Sequence, residues 1–180
     1  MQAQLAVFEG DLGWFGLLGT GRSLQRLYMG HTTADEVRER AAAELPDGWT
    51  EKNWWPELRR RLIDYAGGTR DDFRDIEIVD STRTPFEQRV VCMLRRVDYG
   101  KTVSYGELAT RAGAPGAARA VGSVMRRNSV PLIVPCHRVI AAGGKLGGFS
   151  APQGLDLKRR LLDLESVSID RLRLRGSSRR

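Results

Sequence analysis

The chain opens on short apolar runs punctuated by glycine. Leu5 to Phe8, Trp14 to Leu18 and Ser23 to Met29 lie among Gly10, Gly13, Gly19, Gly21 and Gly30, a pattern that predicts an antiparallel meander of short strands. Thr33 to Glu44 mixes alanines with alternating charges and predicts a helix. Trp54, Leu58, Leu62 and Tyr65 recur at the spacing of one helix face, so Trp54 to Tyr65 reads as a second helix, stopped by Gly67 and Gly68. Phe73 to Val79 alternates like a final strand, and residues 80–83 read as a polar linker. His31 follows a glycine and is expected in a solvated turn.

The second half begins with a helix start. Thr84-Pro85-Phe86-Glu87 sets an N-cap threonine, a proline at the first helical position and a glutamate that can reach back to the cap. Phe86, Val90, Met93, Leu94 and Val97 mark its buried face, and Cys92 is expected as a packed thiol. Ser104 to Glu107 is a second capping box, opening a helix that ends at Gly113. A turn through Pro115 and Gly116 leads to a helix from Ala117 to Arg127. Helix, short glycine turn, helix is the grammar of a DNA-binding pair, though many buried helix pairs share it. The second helix lacks the Asn, Gln and clustered Arg that read base edges. Its small residues suit close, sequence-tolerant contact in the minor groove, and equally suit tight packing inside a protein. Arg119 argues for the groove, because a buried unpaired arginine is costly.

Charge sharpens this division. The 180 residues carry a net charge of +7. Residues 1–83 hold 11 Lys/Arg against 15 Asp/Glu, whereas residues 84–180 hold 18 against 7. We therefore expect an N-terminal domain over 1–83 and a second over 84–165, whose basic surface either faces a polyanion or is merely soluble, with a basic, disordered tail over 166–180. At 41% hydrophobic and 28% charged the composition suits a soluble globular protein. No run approaches membrane-spanning length, and the N-terminus lacks a secretory pattern, so a cytoplasmic location is expected. Two cysteines and two histidines offer neither a disulfide framework nor zinc-ligand spacing. No metal and no cofactor are expected.

Val134 to Ile140 reads Val-Pro-Cys-His-Arg-Val-Ile, setting a thiol beside an imidazole in an apolar run. A thiol needs a base or a positive environment to act as a nucleophile at neutral pH. Adjacency alone favours a buried structural cysteine.

Thr84-Pro-Phe-Glu, Val103-Ser-Tyr-Gly-Glu-Leu-Ala, Ala117-Ala-Arg-Ala-Val-Gly, Asn128, Val130-Pro and Val134-Pro-Cys-His-Arg-Val-Ile stand in this order. With Gly147-Gly-Phe-Ser, Lys158 and Leu161-Leu through Glu165, the chain resembles the O6-alkylguanine-DNA alkyltransferases over residues 84–165. The resemblance implies an α+β fold: a small RNase H-like α/β domain with an antiparallel sheet, then a helical, winged-helix-like domain with a helix-turn-helix. It implies a monomer that repairs double-stranded DNA containing O6-alkylguanine, and O4-alkylthymine, by a single-turnover transfer to Cys136 after base flipping. His137 would deprotonate Cys136 through a water, with Glu165 orienting the imidazole. Arg119 would fill the space of the flipped base, with Ala117, Ala120, Ser123 and Arg126 along the DNA-facing side. Tyr105 would displace a phosphate and bond the guanine, and Asn128 would brace the turn before the thiol. Pro131, Val139, Phe149, Ser150 and Lys158 would form the pocket. Phe149-Ser-Ala-Pro-Gln-Gly154 is longer and stiffer than the family's glycine-rich version. Three other readings compete: a helix-turn-helix regulator, a non-catalytic binder of alkyl lesions, and a Cys-His hydrolase. The binder is disfavoured because Cys136 is present, and the hydrolase because it would leave the helix pair unexplained.

Overall fold

A computed structural model describes residues 2–45, 48–79 and 83–176, with side chains as far as Glu165. The glycine-punctuated runs form the expected meander. Strand β1 (Ala3–Gly10) pairs antiparallel with β2 (Gly13–Thr20), and β2 with β3 (Ser23–His31), through two tight hairpins. Helix α1 (Ala34–Glu44), capped by Thr33, then crosses the sheet and delivers β4 (Trp49–Glu51) parallel to β1, giving the order β3-β2-β1-β4. This three-residue edge strand has no sequence signal of its own.

Alternation along the strands feeds two cores, because successive side chains leave opposite faces of a sheet. Leu5 and Leu18 pack with Tyr28, Val37 and Ala41 beneath α1. Ala6, Phe8, Phe15, Leu17, Leu27 and Met29 face the other way, towards Leu58, Leu62 and Tyr65 of α2 (Pro56–Ala66). That second cluster does not stop at the expected boundary near residue 83. It continues through Val90, Leu94, Val121, Val134 and Cys136 to Leu157 and Leu161. Leu27 N–H donates to the Ser129 carbonyl at 2.9 Å, and Gln153 reaches the Gly30 carbonyl at 2.8 Å. The acidic and basic halves thus share one interior.

In the second half, α3 (Pro85–Arg95) and α4 (Tyr105–Arg111) each carry the reciprocal capping box read from sequence. Helix α4 packs on α5 (Ala118–Arg126). A two-residue parallel pair, β5 (Val103–Ser104) with β6 (Val139–Ile140), ties the start of α4 to the chain just after the thiol.

Four expectations are corrected. Phe73 to Val79 is not a strand: it makes one bridge, Leu24 with Ile78. Phe73 takes a left-handed φ of 49°, and its N–H is taken by Asp71 at 2.8 Å. The carbonyls of Phe73, Arg74 and Ile76 are satisfied instead by Arg95 Nη2 at 2.9–3.0 Å, so no neighbouring strand is needed. Cys92 is exposed on α3, where Val91 takes the buried position. His31 is buried at 9% exposure, its Nδ1 3.6 Å from Glu36. The last helix, α6, spans Gly154–Gly176, so helical backbone continues into the stretch expected as a disordered tail. Neither glycine nor proline occurs between Leu155 and Arg175 to end it. Residues 177–180 of that stretch lie outside the described residues.

Candidate functional site: a buried thiol beneath a helix pair

The segment from α5 to Cys136 is a braced turn. Asn128 Nδ2 donates to the Val134 carbonyl at 2.8 Å, while its Oδ1 accepts from Val130 N–H at 3.2 Å. Val134 N–H returns to the Val130 carbonyl at 2.9 Å. This lattice holds Leu132 at a φ of +69°, a left-handed conformation that costs a branched residue about 1–3 kcal/mol. The turn therefore arrives at Cys136 in a fixed direction, and the Asn128 amide also meets the thiol.

Cys136 opens a short 3-10 turn, Cys136–Arg138, and is 8% exposed. Burial pushes its pKa up from the ordinary thiol value, opposed by the Asn128 hydrogen bond and the Lys158 charge. At rest it is a thiol, and it needs a base.

His137 is 1% exposed, its Nε2 2.8 Å from Glu165 Oε1. Glu165 is the hub of a buried network. Arg138 approaches it at 2.9–3.2 Å, Tyr65 Oη donates at 2.6 Å, and the Gly100 N–H donates at 3.0 Å. Burial would raise the Glu165 pKa, but the bonds from His137 and Arg138 overcome it and hold the carboxyl well below the carboxylate range. Arg138 is anchored in turn by Asp72 at 3.1 Å and by the Val97 carbonyl at 2.7 Å. Burial lowers the His137 pKa, against the pull of Glu165. The imidazole is therefore neutral beside an ionised carboxylate. A carboxylate only accepts, so Nε2 carries the proton and Nδ1 keeps its lone pair. Nδ1 is buried and has no hydrogen-bond partner among the described residues.

A cleft of about 740 Å3 opens over the thiol. Pro131, Phe149 and Ser150 line it beside Cys136, and it extends to Arg26, His31 and Arg40 of the N-terminal half. Ser150 Oγ donates to the Arg126 carbonyl at 3.3 Å, strapping the pocket segment to α5. Tyr105 stands at the start of α4 with its hydroxyl against Gly147, where a Cβ would lie 3.0 Å away. Gly147 is at φ +71°, so both space and conformation require glycine there. Lys158 and Val139 do not face the cleft. Lys158 is fully buried, and its ammonium donates to the carbonyls of Val139 at 2.6 Å, Gly148 at 3.2 Å and Leu146. It clamps the pocket wall from behind. On α5, Arg119, Ala120 and Arg126 are exposed, and Ala117 and Ser123 are half-buried. Exposure of Arg119 removes the tight-packing reading of that face.

Sequence reasoning missed Tyr65, Asp72 and Arg138. Tyr65 was hidden in an apolar helix stripe, where its hydroxyl leaves no periodic trace. Arg138 did carry a signal: an arginine enclosed by Val134, Val139 and Ile140 must find a buried counter-charge.

A thiol, a neutral base and an orienting carboxylate, placed under a helix pair with an exposed arginine, define a class of nucleophilic proteins that meet DNA. Residues 85–167 match the family described as 6-O-methylguanine DNA methyltransferase, DNA binding domain. The methylated-DNA–protein-cysteine methyltransferase of Methanosarcina acetivorans is 37% identical over 161 residues, 89% of this chain and 96% of that protein. Its counterpart from Mycolicibacterium paratuberculosis is 46% identical, covering 87% and 88%. Among solved structures, Mycobacterium tuberculosis OGT in complex with DNA superposes with a TM-score of 0.74 at 36% identity, covering 91% of this chain and 93% of that one. The chain belongs to the methylated-DNA–protein-cysteine methyltransferase family.

Proposed function

We propose that this chain repairs double-stranded DNA directly, taking the alkyl group of O6-alkylguanine, and of O4-alkylthymine, onto Cys136 Sγ. The lesion lies inside the stack, so the base must leave it. Arg119 on the exposed face of α5 replaces the extruded base, with Ala117, Ala120, Ser123 and Arg126 against the groove. Tyr105 turns a phosphate and bonds the guanine, which enters the cleft between Pro131, Phe149 and Ser150. His137 Nδ1 takes the thiol proton through a water. The thiolate attacks the alkyl carbon, the carbon–O6 bond breaks with its electron pair on the guanine, and protonation at N1 restores the normal base. Among the described residues no group is placed to cleave the resulting thioether, and each molecule acts once.

The observation that carries this reading is the imidazole itself: neutral, tied by Nε2 to Glu165, its Nδ1 lone pair uncommitted beside a buried thiol. The sheet order with its covering helices supports an RNase H-like first half. The helix pair joined to β5 and β6 supports a winged-helix-like second half. The protein acts as a monomer in the cytoplasm, on the nucleoid if the cell is prokaryotic. Incubation with duplex DNA bearing O6-methylguanine should add one methylene to the Cys136 peptide, stoichiometrically, and Cys136→Ser should show none. Tight binding of that DNA without modification of Cys136 would instead establish a non-catalytic lesion binder.

A further inference from the structure

Tyr65 belongs to α2, in the half of the chain remote from the thiol in sequence, yet its hydroxyl lies inside the relay. Tyr65 Oη is 2.6 Å from Glu165 Oε1 and 3.4 Å from His137 Nε2. Its ring is locked: 1% exposed, tilted against Phe73 at 5.5 Å and edge-on to Tyr99 at 5.9 Å. A phenol has one proton. Given to the carboxylate, it leaves the phenol oxygen as an acceptor, and the one donor facing it is the Nε2–H of His137.

We propose that Tyr65 is a positioning residue for the alkyl transfer, fixing His137 as the Nε2–H tautomer and keeping Glu165 from becoming the proton's destination. The inference rests on the reading of Cys136 as acceptor and His137 as base. The first effect is geometric. Nε2–H meets two oxygens on one side, Oε1 and the phenol, while Nδ1 meets neither, so rotation or tautomer exchange loses hydrogen bonds. The second is electrostatic. Every donor on Glu165 draws charge from it and weakens its hold on an imidazolium. Among the described residues the groups around His137 are Tyr65 from α2, Asp72 from the loop after it, and Tyr99 with the Gly100 N–H from the turn after α3. Cys136 and Arg138 flank it in the thiol segment, and Lys158 and Glu165 come from α6. Of these, Tyr65 is the one uncharged side chain that touches both members of the His137–Glu165 pair.

Removing the hydroxyl leaves the carboxylate more basic and the imidazolium better stabilised, so the His137 pKa rises. The Tyr65→Phe protein should therefore lose rate on the acid side. The acid limb of its single-turnover rate profile should move up by about one pH unit, a roughly tenfold loss at a fixed pH below the limb. The plateau above it should fall by roughly a few-fold at most, since Glu165 still holds the imidazole when the weaker phenol contact is lost, and DNA affinity should not change. A merely structural role would lower the rate equally at every pH. In the unaltered protein, nitrogen chemical shifts of His137 should show protonated Nε2 and unprotonated Nδ1; the opposite tautomer would overturn the proposal without any variant. Wild-type rates for Tyr65→Phe across the whole range, with Cys136 still alkylated, would overturn it and leave the reading of Cys136 intact. Failure of even the unaltered protein to alkylate Cys136 would instead overturn that reading.

Discussion

At the scale of single residues, the site separates groups that do chemistry from groups that aim them. In the proposed reaction Cys136 and His137 touch the reacting atoms, whereas burial and the Arg138 charge keep the imidazole neutral and Glu165 and Tyr65 orient it. Arg119 does neither. It stands exposed on α5, well placed to occupy the gap an extruded base leaves, and its effect should appear only when there is a stack to leave. Arg119→Ala should slow repair in duplex DNA on the order of a hundredfold, the rate equivalent of the few kcal/mol that extrusion costs. Reaction with a free-base pseudosubstrate should be barely affected. Single-turnover rates on both substrates check this, and equal losses would refute the flipping role.

At the scale of elements, legibility followed locality. Capping boxes at Thr84 and Ser104 are contained within four residues, and both helices start where the sequence places them. The meander was equally plain, since its register is closed by adjacent turns. Phe73 to Val79 misled because alternation reports burial on one side, and here Arg95 supplies the hydrogen bonds that a strand would have needed. Cys136, His137 and Glu165 were expected together from the family motif, and the fold does bring His137 to Glu165 at 2.8 Å. Tyr65 and Asp72 left no trace, because their meaning lies in contacts spanning 66 to 100 residues, and Arg138 left only the hint of a charge in an apolar run. Lys158 illustrates the same limit: the resemblance placed it in the pocket, whereas the fold uses it as a triple donor to backbone. Lys158→Met keeps the aliphatic stem but leaves those carbonyls without their donor, at about 1–3 kcal/mol for a buried group left unsatisfied. We expect denaturant unfolding to show a loss of about 2–4 kcal/mol. The repair rate should fall with it as the wall formed by residues 146–148 loosens.

At the scale of the whole molecule, one continuous interior joins the acidic N-terminal half to the basic half, and the relay sits across the join. Its titration sets a stability window. The folded protein holds His137 below its ordinary value of 6.5, so stability is complete above that value and declines as pH falls through it. Glu165, held below its ordinary value of 4.5, adds a second loss as pH falls below that value. Cys136 is shifted the other way from its ordinary value of 9.0, so its contribution is present below 9.0 and is lost as pH rises past it. Thermal unfolding should therefore be highest between about pH 6.5 and 9 and fall on both sides. Cys136→Ser should flatten the alkaline decline.

Glu165 gathers its donors from positions 65, 100, 137 and 138, four places that meet only when the chain has closed on itself. A reagent consumed in one event has no later cycle in which a faulty copy could be noticed and discarded. Activation of the thiol through such a junction, as proposed above, would make reactivity the last property the polypeptide acquires. A nascent or damaged copy carries a dull sulfur, and a finished one is armed. The cell's repair capacity is thereby counted in completed folds rather than in chains translated.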